Sequence, residues 1–119
     1  MGKFCVSVTP ARNDTDKATL GFVVANAAAG SGQETVVFLS TEAVHLAVKG
    51  YAEQIHEEGF APLAELVANF VKAGGTIWVC SPCFKKRKLD EAQLVPGATI
   101  VGGAKLIELL AAGTPCISY

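Results

Sequence analysis

Two rhythms of apolar positions alternate along the chain. Short runs at 4–8, 36–39, 76–79, 99–101 and 116–118 are mostly apolar on both faces. Such runs suit strands with both faces covered. Between them the period lengthens. Leu63, Leu66, Val67, Phe70 and Val71 keep the i, i+3, i+4, i+7, i+8 spacing of an amphipathic helix, stopped by Gly74 and Gly75. Asn13 or Asp14 can cap an alanine-rich helix to about residue 29, with Asp16 in its first turn and Gly30 at its end. Ser40 or Thr41 can cap a shorter helix through 48, ended by Gly50. Ala104, Ile107, Leu110 and Ala111 mark a last helix before Gly113.

Strict strand–helix alternation predicts an α/β sandwich around a mainly parallel five-stranded sheet. The 119 residues suit one domain, 1–119, and there is no repeat, linker or low-complexity segment. The longest break, 50–62, holds Tyr51, His56, Gly59 and Phe60. A break of that length reads as a surface loop, a lid or an oligomer contact.

Composition narrows the function. Half of the residues are apolar and 18% are charged, which excludes a disordered chain. The 10 basic against 11 acidic residues leave a net charge of −1, so no global field favours nucleic acid. So few charges cover the surface poorly, and a monomer would expose apolar patches; a homo-oligomer is expected. The N-terminal MGKFCVSVTP has an apolar stretch too short for a signal peptide or a membrane span. The expected location is the cytoplasm, with no membrane partner. Thiols stay reduced there, so a CxxC suggests chemistry or metal rather than a staple.

That motif lies in TIWVCSPCFKKRK, 76–88. Cys80 ends the third strand, and sites in open α/β sheets lie beyond the carboxyl ends of strands. Pro82 suits the first turn of a helix starting near Ser81. Cys80 and Cys83 would then sit near unpaired backbone N–H groups, with Lys85, Lys86 and Arg87 adding positive potential. Both effects favour the thiolate, so the stretch predicts a lowered cysteine pKa. Cys5 and Cys116, in apolar strands without nearby charge, read as inert core. One Cys pair without a His pair does not make a structural zinc site. There is no GxGxxG or GxxxxGK[ST], and the first strand leads into TPARND, without a glycine to admit a phosphate. No cofactor is expected. The CxxC spacing also suits thiol–disulfide exchange, although a thioredoxin-type motif follows an early strand and this one comes late.

Several stretches together resemble the DsrE/DsrF-like small proteins of sulfur metabolism, including the TusD-like subunits of sulfur relay systems. They are a T-P turn after the first strand, STEAVHLAVKG after the second, GGTIWVCSPCFKKR, and the closing GGAKLIELLAAGTPCISY. The resemblance spans almost the whole length. It implies a flavodoxin-like three-layer sandwich with strand order 2-1-3-4-5, and trimers or hexamers. It also implies a persulfide carried on the cysteine after the third strand, here Cys80, and hence sulfur donor and acceptor proteins or small persulfides as partners. Cys83 has no counterpart in the TusD-like subunits, though a close branch has a C-x-P-C pair. On this reading Cys83 resolves or carries sulfur. Lys85, Lys86 and Arg87 stabilise anionic sulfur or dock an acidic partner, and Ser81 adds a hydrogen bond. Glu42 and His45 lie at the same sheet edge, with His45 a candidate proton donor. A dithiol redox protein and a non-catalytic oligomeric module are the alternatives.

Overall fold

All five predicted strands form in the structure, a computed structural model that describes residues 2–119. They are β1 (Lys3–Val8), β2 (Glu34–Leu39), β3 (Thr76–Cys80), β4 (Ala98–Val101) and β5 (Cys116–Ser118). Every neighbouring pair is parallel, and the sheet order is β4-β3-β2-β1-β5. The α/β, flavodoxin-like architecture is thus present. The β2–β1 and β3–β4 neighbours of the expected order are kept, and β5 stands beside β1 rather than beyond β4. The last crossover therefore carries the chain from one edge of the sheet to the other.

Side chains alternate across the pleat. Val6, Val8, Val37, Leu39, Ile77 and Val79 point into the larger core, and Cys5, Phe38 and Val101 into the smaller one on the other face. The larger core is closed by α1 (Thr15–Gly30) and α2 (Leu63–Lys72). Asp14 caps α1 by accepting from the Lys17 N–H at 3.1 Å. Phe22 of α1 meets Phe70 of α2 edge to face, with centroids 6.0 Å apart. Asn26 Nδ2 donates to the Phe22 and Leu66 carbonyls at 2.9 Å each, tying the two helices together. Gly21 lets α1 approach the sheet: a Cβ there would come within 2.6 Å of Val8 Cγ2.

The smaller face is covered by α4 (Gly103–Ala111), which has no fully buried residue. Leu106, Leu109 and Leu110 pack on Phe38 and Trp78, while Ile107 stays 63% exposed. No described helix is long and apolar enough to cross a membrane.

The helix expected after β2 is present as a 3-10 helix, Thr41–Ala47, and Ser40 at its N-cap makes no side-chain capping bond. Its last residues are drawn into an extended rim: Val48 bridges Leu94, and the Val95 N–H donates to the Ala47 carbonyl at 2.8 Å. The stretch 50–62 is not bare loop. It holds a 3-10 turn, Ala52–Gln54, and buries Ala52 and Ile55 against the main core. Cys116, expected in the core, is exposed, because β5 is a three-residue edge strand with no buried position.

Phe70 is fully buried at the α1–α2 contact. Phe70→Ala is expected to lower unfolding free energy by about 3–5 kcal/mol, the usual cost of deleting a buried ring. Urea denaturation followed by Trp78 fluorescence measures it.

Candidate functional site

β3 delivers the dithiol. Its last residue, Cys80, is also the N-cap of a short helix, α3 (Ser81–Lys86), with Pro82 in the first turn. Cys80 and Cys83 are free thiols, both partly buried, three positions apart where the strand turns into α3. Ser81 is half-buried at the first position of α3, and Pro82 is exposed. Among the described residues the Ser81 hydroxyl takes no part in the hydrogen bonds of the site.

The expected lowering of the Cys80 pKa does not occur. Burial pushes the thiol above its ordinary value, and the neighbouring Cys83 thiol adds to the rise. The Cys83 backbone N–H and the Arg87 guanidinium pull the other way and are outweighed. That amide makes no tight capping bond to Cys80 Sγ. A six-residue helix also offers little dipole, and Lys85 and Lys86 stand in its last turn, away from Cys80 and exposed to water. Of the basic run, Arg87 is the member whose charge acts on the thiol.

Arg87 is held in place. Its Nε and Nη2 both reach Glu42 Oε1 at 3.0 Å, and Nη1 donates to the Cys83 carbonyl at 3.1 Å. It is 17% exposed and Glu42 is 42% exposed, so the pair is only partly screened by solvent. Glu42 Oε2 lies 3.6 Å from His45 Nε2, and the His45 ring stacks on Tyr51 at 4.9 Å. A continuous line of side chains thus joins the Cys83 carbonyl to Arg87, Glu42, His45 and Tyr51.

The 3-10 helix carrying Glu42 and His45 is anchored at a strained residue. Thr41 has φ of 51°, a left-handed conformation unfavourable for a β-branched side chain. Its hydroxyl donates to the Thr9 carbonyl at 2.6 Å, and the Ala43 N–H donates to the same oxygen at 3.0 Å. The end of β1 thereby fixes where Glu42 meets Arg87. Thr41 and Tyr51 were not singled out in the sequence as parts of the site. The available signals were a Thr beside a strand end and an aromatic residue six positions beyond His45.

An apolar groove of about 330 Å³ lies away from the dithiol, between α2 residues Val67 and Val71, Leu46, Val48 and Pro96. Among the described residues no three His, Cys, Asp or Glu side chains gather as a metal set.

The profile of the DsrE/DsrF-like family matches residues 2–119. The chain is 34% identical over 98 residues to the uncharacterised protein MJ0989 of Methanocaldococcus jannaschii, covering 82% of each. It is 27% identical over 107 residues to the uncharacterised protein MJ0760 of the same organism. That match covers 90% of this chain but only 38% of the relative. Among solved structures, the YchN protein of E. coli superposes with a TM-score of 0.85 over the full length of both chains, at 17% identity. MTH1491 of Methanobacterium thermoautotrophicum gives 0.73, also over both full lengths, at 12% identity. At these identities the structural likeness speaks for the fold.

The geometry sets the reactivity of Cys80. Alkylation by iodoacetamide, which needs the thiolate, is expected to be slow at neutral pH and to keep rising beyond the ordinary thiol range. Arg87→Ala should slow it at neutral pH by removing the favourable charge. Glu42→Gln should speed it by leaving the guanidinium uncompensated. Peptide-resolved mass spectrometry follows both; equal rates in the two variants would show that the guanidinium does not govern the thiol.

Proposed function

The chain belongs to the DsrE/DsrF-like family, a family associated with sulfur metabolism, and from that premise we propose that it is a sulfane-sulfur carrier acting through Cys80. The observation that carries the reading is a reduced, half-buried thiol pair at the carboxyl end of β3, with Arg87 clamped against its helix. In the proposed step the Cys80 thiolate attacks the outer sulfur of a donor persulfide. A new S–S bond forms, the donor's S–S bond breaks, and the donor leaves as a thiol. The Cys80 persulfide then gives its outer sulfur to an acceptor thiolate. Alternatively Cys83 attacks the inner sulfur, forms a Cys80–Cys83 disulfide and releases hydrosulfide. Each step is exchange through sulfur.

A raised pKa limits the thiolate fraction but raises the intrinsic nucleophilicity of the thiolate that forms. Partial burial also shields a persulfide from competing reagents. Lys85 and Lys86, exposed and without an ion-pair partner among the described residues, suit the docking of an acidic donor or acceptor. His45, whose Nε2 lies 3.6 Å from Glu42 Oε2, is read as a support for Glu42. Two free, partly buried thiols at CxxC spacing also favour a second reading, a dithiol–disulfide redox protein. A non-catalytic oligomeric module is the reading left if neither thiol reacts.

We further propose a homo-oligomer, a trimer or hexamer, assembled through the outward face of α4. Ile107 is 63% exposed there, a large apolar side chain on a helix without a fully buried residue.

Two measurements test these readings. After treatment with a polysulfide, intact mass under non-reducing conditions is expected to rise by one or more sulfur atoms in the parent and in Cys83→Ser, but not in Cys80→Ser. A loss of two hydrogens needing both cysteines would instead establish the dithiol reading. Light scattering at micromolar concentration should give an oligomer that Ile107→Glu dissociates; a clean monomer in the parent defeats the assembly.

A further inference from the structure

Two more thiols are brought together by strand register. Cys5 of β1 stands directly opposite Cys116 of β5. In parallel strands such partners project to the same face, here the face covered by α4. Neighbouring strands lie roughly 4.7–4.9 Å apart, inside the approximately 4.4–6.8 Å Cα separation that a disulfide spans. The backbone on either side is fastened: the Cys5 N–H donates to the Pro115 carbonyl at 2.9 Å and the Tyr119 N–H to the Ser7 carbonyl at 2.8 Å. The register alone sets the two cysteines side by side on firmly paired backbone.

The two differ sharply in access. Cys5 is sealed in the smaller core and Cys116 is exposed on the edge strand. Burial, reinforced by the adjacent Cys116 thiol, pushes Cys5 up to about 12, so at neutral pH it stays protonated. A reagent from solvent therefore meets Cys116 first, with a reduced thiol waiting behind it.

We propose that Cys116 and Cys5 form a second dithiol pair, an attacking and a resolving thiol, that closes to a cross-strand disulfide on reaction with a small-molecule disulfide. The Cys116 thiolate attacks one sulfur of the reagent. The reagent's S–S bond breaks, half of it leaves as a thiol, and a mixed disulfide remains on Cys116. Cys5 then gives up its proton and attacks Cys116 Sγ, and the second half of the reagent leaves as a thiol. Two protein thiols are oxidised by two electrons, and the reagent disulfide is reduced to two thiols. Because Cys5 is protonated at neutral pH, the second step is the slow one and quickens as pH rises.

The probe is oxidised glutathione, applied to the Cys80→Ser/Cys83→Ser protein so that the first pair is silent. The expected product has lost two hydrogens, and non-reducing peptide mapping links the peptide of Cys5 to that of Cys116. Adding Cys5→Ser should stop the reaction at a stable glutathione adduct on Cys116. Adding Cys116→Ser should leave Cys5 unmodified. Peptide mapping of the unsubstituted protein must show the same Cys5–Cys116 link, which guards against misfolded variants. A glutathione adduct that persists on Cys116 at alkaline pH with Cys5 present overturns the proposal, as does a folded protein in which neither thiol reacts. Neither outcome bears on sulfur transfer at Cys80.

Discussion

A parallel sheet has to be hidden on both faces, and this chain meets that demand unequally. One face is closed by α1, α2 and the 3-10 helix after β2, which share the larger core. The other receives only the nine residues of α4. The central strands β2 and β1 are buried by this arrangement, which fixes the carboxyl end of β3 as the place where the chain turns into Cys80. The same imbalance leaves β5 and the outer side of α4 open to solvent. The exposed Ile107 and the exposed Cys116 both lie on the thinner side.

At the site itself, burial and charge compete, and burial wins. The Cys80 thiol lies deep enough that losing water outweighs both the Cys83 amide and Arg87. Arg87 is divided among the Cys83 carbonyl, Glu42 and the thiol. Its first service is positional, locking α3 onto the 3-10 helix. An ion pair this exposed contributes only about 0–1 kcal/mol to stability, so its value lies in geometry.

The strands and the α1, α2 and α4 helices were legible because each rests on a local signal: continuous apolar runs, the 63–71 periodicity, the Asp14 cap, the glycine stops. What escaped depends on contacts distant in sequence. The place of β5 beside β1 is a matter of pairing, which periodicity does not encode. The same pairing decides that Cys116 is at the surface while Cys5, equally apolar in context, is sealed. The basic run drew attention as one feature, yet a single turn of helix separates its members: Arg87 folds back to the Cys83 carbonyl while Lys85 and Lys86 face water. The sign of the Cys80 shift needed the depth of burial, which no spacing reveals. Glu42 and His45 were found because they follow β2 directly, and their partner Tyr51 was missed because it lies in a stretch that looked like loop.

Thr41 holds a backbone conformation that costs a β-branched residue roughly 1–3 kcal/mol. Glycine or asparagine would relieve that cost, since both accept the left-handed region readily. Either change would also delete the hydroxyl that pins the 3-10 helix to the Thr9 carbonyl. Thr41 is therefore a position where selection for a sturdier fold and selection for a fixed Glu42 pull in opposite directions. A stabilising screen that reads only thermal tolerance would favour replacing it, and the resulting protein would be firmer as a scaffold and looser where Arg87 is held.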